Sequence, residues 1–230
     1  MSNQTEAKLD TISNALNQGR KTLSEYESKS ILRAYEIPVT KEFSVEDMEN
    51  LNAAIGEIGF PMVMKGCGAE LSHKTERNLV RIGIRNEVEA IQVFEELSGL
   101  VSDDNGTVLI QEMVQGKREF VVGLVRDPQF GPCVMFGLGG IMTEVLKDVV
   151  FRPAPITESE AVRMIESINA KKMLGTMRGM PQVDITRLAD IIVKVGQIGV
   201  DNEQVKEIDI NPLIIKEDSP VAVDALVILQ

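Results

Sequence analysis

A single histidine, His73, stands in the run KGCGAELSHKTERN, which spans Lys65 to Asn78. Imidazole titrates near neutral pH, and its neutral form is a good nucleophile. On a polar stretch that opens with glycines it is a candidate for covalent chemistry; a solvated, inert surface histidine is the competing reading. Lys65 closes the apolar run FPMVMK. A lysine at the end of a buried strand places a point charge where a phosphate can meet it, unless it simply reaches solvent. The segment FGLGGIMTEVLKD holds Gly137, Gly139 and Gly140, followed by Glu144, Lys147 and Asp148. Glycines let backbone amides approach an anion closely, though a turn needs them equally. In QEMVQGKRE, a run ending at Glu112 gives way to a polar bend before Glu119. Backbone groups of such a bend can hold an adenine; a plain hairpin is the alternative. In EIDINPLII, Asp209 and Asn211 alternate with Ile208 and Ile210, so on a strand both oxygens share one face. Carboxylate and amide oxygens at that spacing suit Mg²⁺, and Pro212 is expected to end the strand. A lysine for phosphate, an oxygen pair for magnesium, a glycine loop and one imidazole form an inventory for phosphoryl transfer. No G-x-x-x-x-G-K-[ST] loop and no kinase H-R-D set is present.

The elements that must position these residues are legible in outline. Ser24 with Glu27 is a capping box ahead of a helical apolar face. Ser44 with Asp47 repeats the pattern before a helix to about Ile58. FPMVMK and NLVRIGI read as strands, and NEVEAIQVFEELSGL as an amphipathic helix. The middle is strand-rich: TVLIQEMV, REFVVGLVRD and PCVMFGL lie between short turns. Helices follow at Glu158 to Ile168, near Met173, and at Asp184 to Val200, before three closing strands with an EDSP hairpin turn. The pattern is α+β with antiparallel strands. The first ~20 residues carry no strong period and suggest a loosely held arm.

Composition narrows the function class. Hydrophobic residues make up 43% and charged residues 26%, the mix of a globular chain. No apolar run reaches the ~18 residues of a membrane helix, and the polar N-terminus lacks a signal core; a cytoplasmic location is expected. A net charge of −11 argues against nucleic acid as the main ligand, and only 4% aromatics argue against base stacking. Cys67 and Cys133 have no metal-ligand spacing and are expected to be free thiols.

From LSEYESKSIL to its end, the chain strongly resembles the ATP-grasp portion of NDP-forming acyl-CoA synthetases, in particular the separate β subunit of ADP-forming acetate–CoA ligase. The most specific stretches are FPMVMK, LSHKTE, RDPQFGPCVMFGLGGIMTEVLKDVVFRPAPIT, MRGMP and EIDINPLI. The resemblance implies an ATP-grasp fold, two α+β lobes with the nucleotide cleft between them. We set them at 21–110 and 111–230, after an N-terminal arm at 1–20. It implies the reaction acyl-CoA + ADP + phosphate ⇌ acid + CoA + ATP, with ATP/ADP and Mg²⁺ as cofactors. The partner would be a CoA-binding α subunit, in an α2β2 heterotetramer. His73 matches the phosphoryl-carrying histidine and Glu144 an acid near it. Lys65 matches the phosphate-binding lysine. Glu112, with Met113 and Val114, matches the adenine hinge; Glu119, Gly139 and Gly140 complete the nucleotide set. Asp209 and Asn211 match the metal pair. The chain departs from the family pattern after the histidine: HKTERNLV has Asn78 and Leu79 where HKSDVGGV has two glycines. Two rival readings remain: an ATP-grasp carboxylate ligase using an acyl phosphate without phosphohistidine, and a non-catalytic nucleotide-sensing or scaffold subunit.

Overall fold

The computed structural model describes residues 2–69, 77–104, 106–140 and 147–230. The chain divides into two compact units. One comprises Thr22–Ser28 and Thr40–Met113; the other comprises Met1–Lys21, Lys29–Val39 and Val114–Gln230.

Two helices open the chain, α1 (Ser2–Asn17) and α2 (Glu25–Ala34). Where the sequence suggests a loose arm, α1 is helical and buries Ile12 and Ala15. The stretch after it is tied down as well, since the Leu229 N–H donates to the Lys21 carbonyl at 2.7 Å. The expected capping box is present at α2. The Ser24 N–H donates to Glu27 Oε2 at 2.8 Å, and the Glu27 N–H donates to Ser24 Oγ at 3.3 Å.

The smaller unit is an antiparallel sheet in the order β1-β4-β2-β3, built from β1 (Glu42–Val45), β2 (Met62–Cys67), β3 (Val80–Ile84) and β4 (Thr107–Glu112). Helices α3 (Met48–Ile58) and α4 (Glu87–Val101) supply Leu51, Ala54, Ala90, Phe94, Leu97 and Val101 to its core. Met62, Met64, Val108 and Ile110 meet them from the sheet. Side chains alternate across a strand, so Val63, Lys65 and Cys67 occupy the other face of β2. The second expected capping box is not formed. Ser44 lies within β1, where its Oγ is 2.8 Å from Thr107 Oγ1, and Asp47 itself caps α3, accepting from the Asn50 N–H at 2.8 Å. A hydroxyl inside a paired strand is no longer positioned at a helix start, and an aspartate is as good a cap.

The larger unit has a second sheet in the order β10-β8-β5-β6-β7, with β9 also pairing β8. The strands are β5 (Glu119–Asp127), β6 (Gly131–Leu138), β7 (Val149–Pro153), β8 (Val205–Lys216), β9 (Ser219–Ala222) and β10 (Leu226–Leu229). Helices α5 (Glu158–Ser167) and α6 (Ile185–Asp201) follow β7, joined through a 3₁₀ turn at Asn169–Leu174. Gly199 and Gly196 of α6 let the helix sit close to the sheet, since an added Cβ would lie 2.4 Å from Leu124 Cδ1 and 3.2 Å from Val134 Cγ2. The helices thus take the Leu124 and Val134 face. Gly123, Met135 and Asp209 form a cross-strand row on the opposite face.

Pro212 does not end a strand: β8 runs on to Lys216. Pairing with β5 passes from Ile210↔Val122 to Leu213↔Phe120, so two β8 residues oppose Val121 alone. A proline, which has no N–H to give to a ladder, is tolerated at such a bulge. The EDSP hairpin is formed, with Lys216 opposite Ser219.

Candidate functional site

Lys65 lies on β2, where its main chain pairs with Leu109 and Val80. It is 5% exposed, and its Nζ is 2.7 Å from Glu25 Oε1. A solvent-reaching lysine is excluded by that burial. Glu25 belongs to the first turn of α2 and is buried as well.

Glu112, the last residue of β4, is clasped to Lys41. Its N–H donates to the Lys41 carbonyl at 2.9 Å, and its Oε1 accepts from the Lys41 N–H at 2.9 Å. Lys41 in turn reaches Glu57 Oε2 at 2.8 Å. The carboxylate therefore joins the end of one strand to the approach of another. Met113 closes the smaller unit and Val114 begins the last segment of the larger one.

In the larger unit several expected residues converge. Glu119 opens β5, and its carbonyl accepts from the Gly139 N–H at 2.9 Å. Gly140 has φ +65°, and a Cβ there would lie 2.2 Å from Glu119 Oε2. The Gly140 N–H donates to Asn211 Oδ1 at 3.1 Å. The glycine pair is thus seated on β5 and joined to β8 through Asn211.

Asp209 and Asn211 share one face of β8, between buried Ile208 and Ile210, as their alternation required. One further residue belongs with them. Leu213 pairs Ala222 and Asp209 pairs Leu226, so the same register carried between them sets Asp224 opposite Asn211. The Val223 N–H keeps that alignment by donating to the Pro212 carbonyl at 3.1 Å. Burial first, then the negative charges of Glu207 and Asp224, push the Asp209 carboxyl up from 3.8 to about 6. Asn211, Asp209 and Asp224 carry hard oxygen donors of the kind magnesium takes, while among the described residues no group of three or more His, Cys, Asp or Glu side chains forms a metal cluster by itself. Sequence reading passed over Asp224 because VAVDALV shows only an isolated acid. The signal was there in two parts, its own alternation and the EDSP turn that fixes its register.

His73 and Glu144 lie outside the described residues. Cys67 and Cys133 are buried thiols in no disulfide. Burial, reinforced by Asp127, pushes the Cys133 thiol up, away from reactivity. Among the described residues no helix is long and apolar enough to cross a membrane.

Two antiparallel sheets packed against helices, a buried lysine on the first and an oxygen set on the second, describe a nucleotide-handling protein. A family model for the ATP-grasp domain matches residues 14–229, and the chain belongs to that family. It is similar to the β subunit of ADP-forming acetate–CoA ligase I of Pyrococcus furiosus, 46% identical over 212 residues, covering 90% of this chain and 91% of that one. It is similar also to the solved dinucleotide-forming acetyl-coenzyme A synthetase 1 of Candidatus Korarchaeum cryptofilum, in complex with coenzyme A, Ca-AMPCP and HgCl⁺. There the TM-score is 0.91 at 38% identity, over 97% of this chain and 100% of that one. The same enzyme with coenzyme A and Mg-AMPPCP, its phosphohistidine segment pointing towards the nucleotide binding site, gives a TM-score of 0.86 at 38% identity, with the same coverage.

Proposed function

We propose that this chain is the nucleotide-binding β subunit of an ADP-forming acyl-CoA synthetase, catalysing acyl-CoA + ADP + phosphate ⇌ acid + CoA + ATP together with a CoA-binding α subunit. The observation that carries the reading is the oxygen face of β8, in a chain that matches a β subunit nearly end to end. Lys65 meets the nucleotide phosphates as a point charge. Asn211 and Asp224, with Asp209 beside them, would hold Mg²⁺, which supplies charge neutralisation on those phosphates. Main-chain groups of Met113 and Val114 border the adenine, with Glu112 fixing the strand end before them. Gly139 and Gly140 offer main chain unobstructed by side chains, held in place by Glu119.

His73 carries the phosphoryl group. An imidazole nitrogen attacks the phosphorus of a phosphohistidine on the α subunit, forming an N–P bond as the donor's own N–P bond breaks and its ring keeps that electron pair. The new bond breaks when a β-phosphate oxygen of ADP attacks phosphorus, forming ATP and returning the electron pair to the His73 ring. Glu144 orients the imidazole by accepting its other N–H. A carrier is needed because in-line transfer requires reacting atoms ~3–3.5 Å apart, and in this reading the acyl chemistry belongs to the α subunit. We place the assembly in the cytoplasm as an α2β2 heterotetramer; two buried thiols outside any disulfide accord with a reducing compartment.

The test is a reconstitution. Chain and α subunit together are expected to make ATP from acetyl-CoA, ADP and phosphate, and the chain alone is expected to make none. With γ-labelled ATP and Mg²⁺, acid-labile label is expected on the wild type and absent from His73→Ala. Turnover by the chain alone, or full turnover by His73→Ala, would overturn the proposal; the latter result would favour an acyl-phosphate ligase.

A further inference from the structure

The Lys65–Glu25 pair stands out as a buried pair of opposite charges 40 positions apart, with the two side chains 6% and 1% exposed. Replacing a buried ion pair by apolar groups of similar volume is often neutral or stabilising, so packing stability does not account for it. Thr40, Glu42 and Gln111 are buried polar residues of the same unit, and Glu42 pairs with Gln111 across β1 and β4. Glu25 is itself fixed: it sits in the first turn of a helix whose start is closed by the reciprocal Ser24–Glu27 bonds. A lysine carries its charge on a flexible four-carbon stem, and a ligand that must immobilise such a stem loses affinity.

We propose that Glu25 is a positioning residue for nucleotide binding: it holds the Lys65 ammonium in place, so that arriving phosphate meets an already ordered charge. The inference rests on the reading of Lys65 as the phosphate-binding lysine. It assigns a function in the ligand site to the first turn of α2, which the sequence marks only as a helix start.

A double-mutant cycle on the full chain tests it, with Mg·ADP affinity read by calorimetry at a temperature where circular dichroism confirms the fold. Glu25→Gln is expected to weaken Mg·ADP binding by about three- to tenfold, the factor for one side chain left to be ordered by the ligand. Glu25→Asp, which keeps the charge on a shorter stem and guards against a Gln variant that fails to fold, is expected to lose less. In a Lys65→Met background, Glu25→Gln is expected to change nothing further, because its effect passes through Lys65. Unchanged or tighter binding by both Glu25 variants overturns the inference, as does an equal loss in the Lys65→Met background. If Lys65→Met alone leaves Mg·ADP affinity intact, the phosphate assignment of Lys65 fails instead, and the inference falls with it.

Discussion

Gly139 and Gly140 are adjacent, and the structure predicts different consequences for adding one methyl group to each. A Cβ on Gly139 would lie 2.4 Å from the Phe120 carbonyl oxygen, 2.5 Å from its carbonyl carbon and 2.8 Å from its nitrogen. All three are main-chain atoms of β5, and that strand has nowhere to move. Phe120 pairs with Leu138 on one side and Leu213 on the other, and its fully buried ring stacks on Phe136 at 5.6 Å. Gly139→Ala must therefore displace either the strand or the glycine segment, breaking the Gly139 N–H bond to the Glu119 carbonyl. Overpacking of this kind costs typically 1–3 kcal/mol, and with an immovable neighbour we expect about 3 kcal/mol or more. Gly140→Ala looks worse by backbone criteria, because φ is +65°. Left-handed alanine costs about 1–2 kcal/mol. The atom its Cβ would meet, however, is Glu119 Oε2, the end of a side chain that can turn away. Gly140→Ala should thus cost about 1–2 kcal/mol, and Glu119→Ala in that background should remove the contact and leave only the backbone cost. Urea unfolding of the three variants measures this; at m values of about 1–3 kcal/mol/M, a 3 kcal/mol loss moves the midpoint by about 1 M or more. Gly140→Ala proving as destabilising as Gly139→Ala would refute the reasoning, since it would mean that positive φ rather than main-chain overlap fixes the glycine pair.

Asp209→Asn should stabilise the ligand-free chain at pH 8. The wild-type carboxyl, raised from 3.8 to about 6, resists ionisation in the fold, so the stability that this one group contributes is fully present below pH 4 and is lost as pH rises through about 6. The gain should be at most about 3 kcal/mol at pH 8 and vanish near pH 4, and thermal melts at several pH values would show a flat difference if the idea is wrong. Tyr35 donates to Asp201 Oδ2 at 2.9 Å and accepts from Asn202 Nδ2 at 2.9 Å, and burial is the main cause raising it to about 12. With two tyrosines and no tryptophan, absorbance titration should show a late step that Tyr35→Phe removes, and stability carried by Tyr35 should fall from pH 10 to 12. Asp224→Ala should weaken Mg·ADP binding by about ten- to a hundredfold while leaving metal-free ADP binding nearly unchanged, the loss of one charge-assisted contact. Equal losses with and without magnesium would remove Asp224 from the metal set. Arg118 is 1% exposed, and its guanidinium donates to the Pro181 and Glu217 carbonyls at 2.8 and 2.7 Å. Arg118→Met leaves those carbonyls without their donor and should lower stability by about 2–4 kcal/mol in urea unfolding, whereas a change under 0.5 kcal/mol would contradict that role.

What was legible in the chain, and what was not, follows from how far apart the cooperating residues lie. The alternation of Ile208, Asp209, Ile210 and Asn211 is a local fact, and the strand places them as that period demands. The Ser24–Glu27 cap is equally local and formed as read. Ser44 failed by the same local logic, because a serine three residues ahead of an acid fits both a helix start and a strand, and pairing with β4 decided the matter. Pro212 misled for a related reason: a proline stops an ideal strand, yet the bulge opposite Val121 removes the demand for its N–H. The site itself depends on contacts that no window of sequence contains. Lys65 was read as closing a buried strand, whereas β2 runs on to Cys67 and buries it within the sheet; its carboxylate partner lies 40 residues earlier in the first turn of a helix. Asn211 was visible as an oxygen donor, but the Gly140 N–H it accepts lies 71 residues away. Asp224 joins the set only through the register of a hairpin. Residue types and spacing thus name which groups can handle a phosphate or a hard cation. Which neighbours hold those groups in place is settled by long-range pairing, and in this chain two of those neighbours, Glu25 and Asp224, are acids that a linear reading treats as ordinary solvated charge.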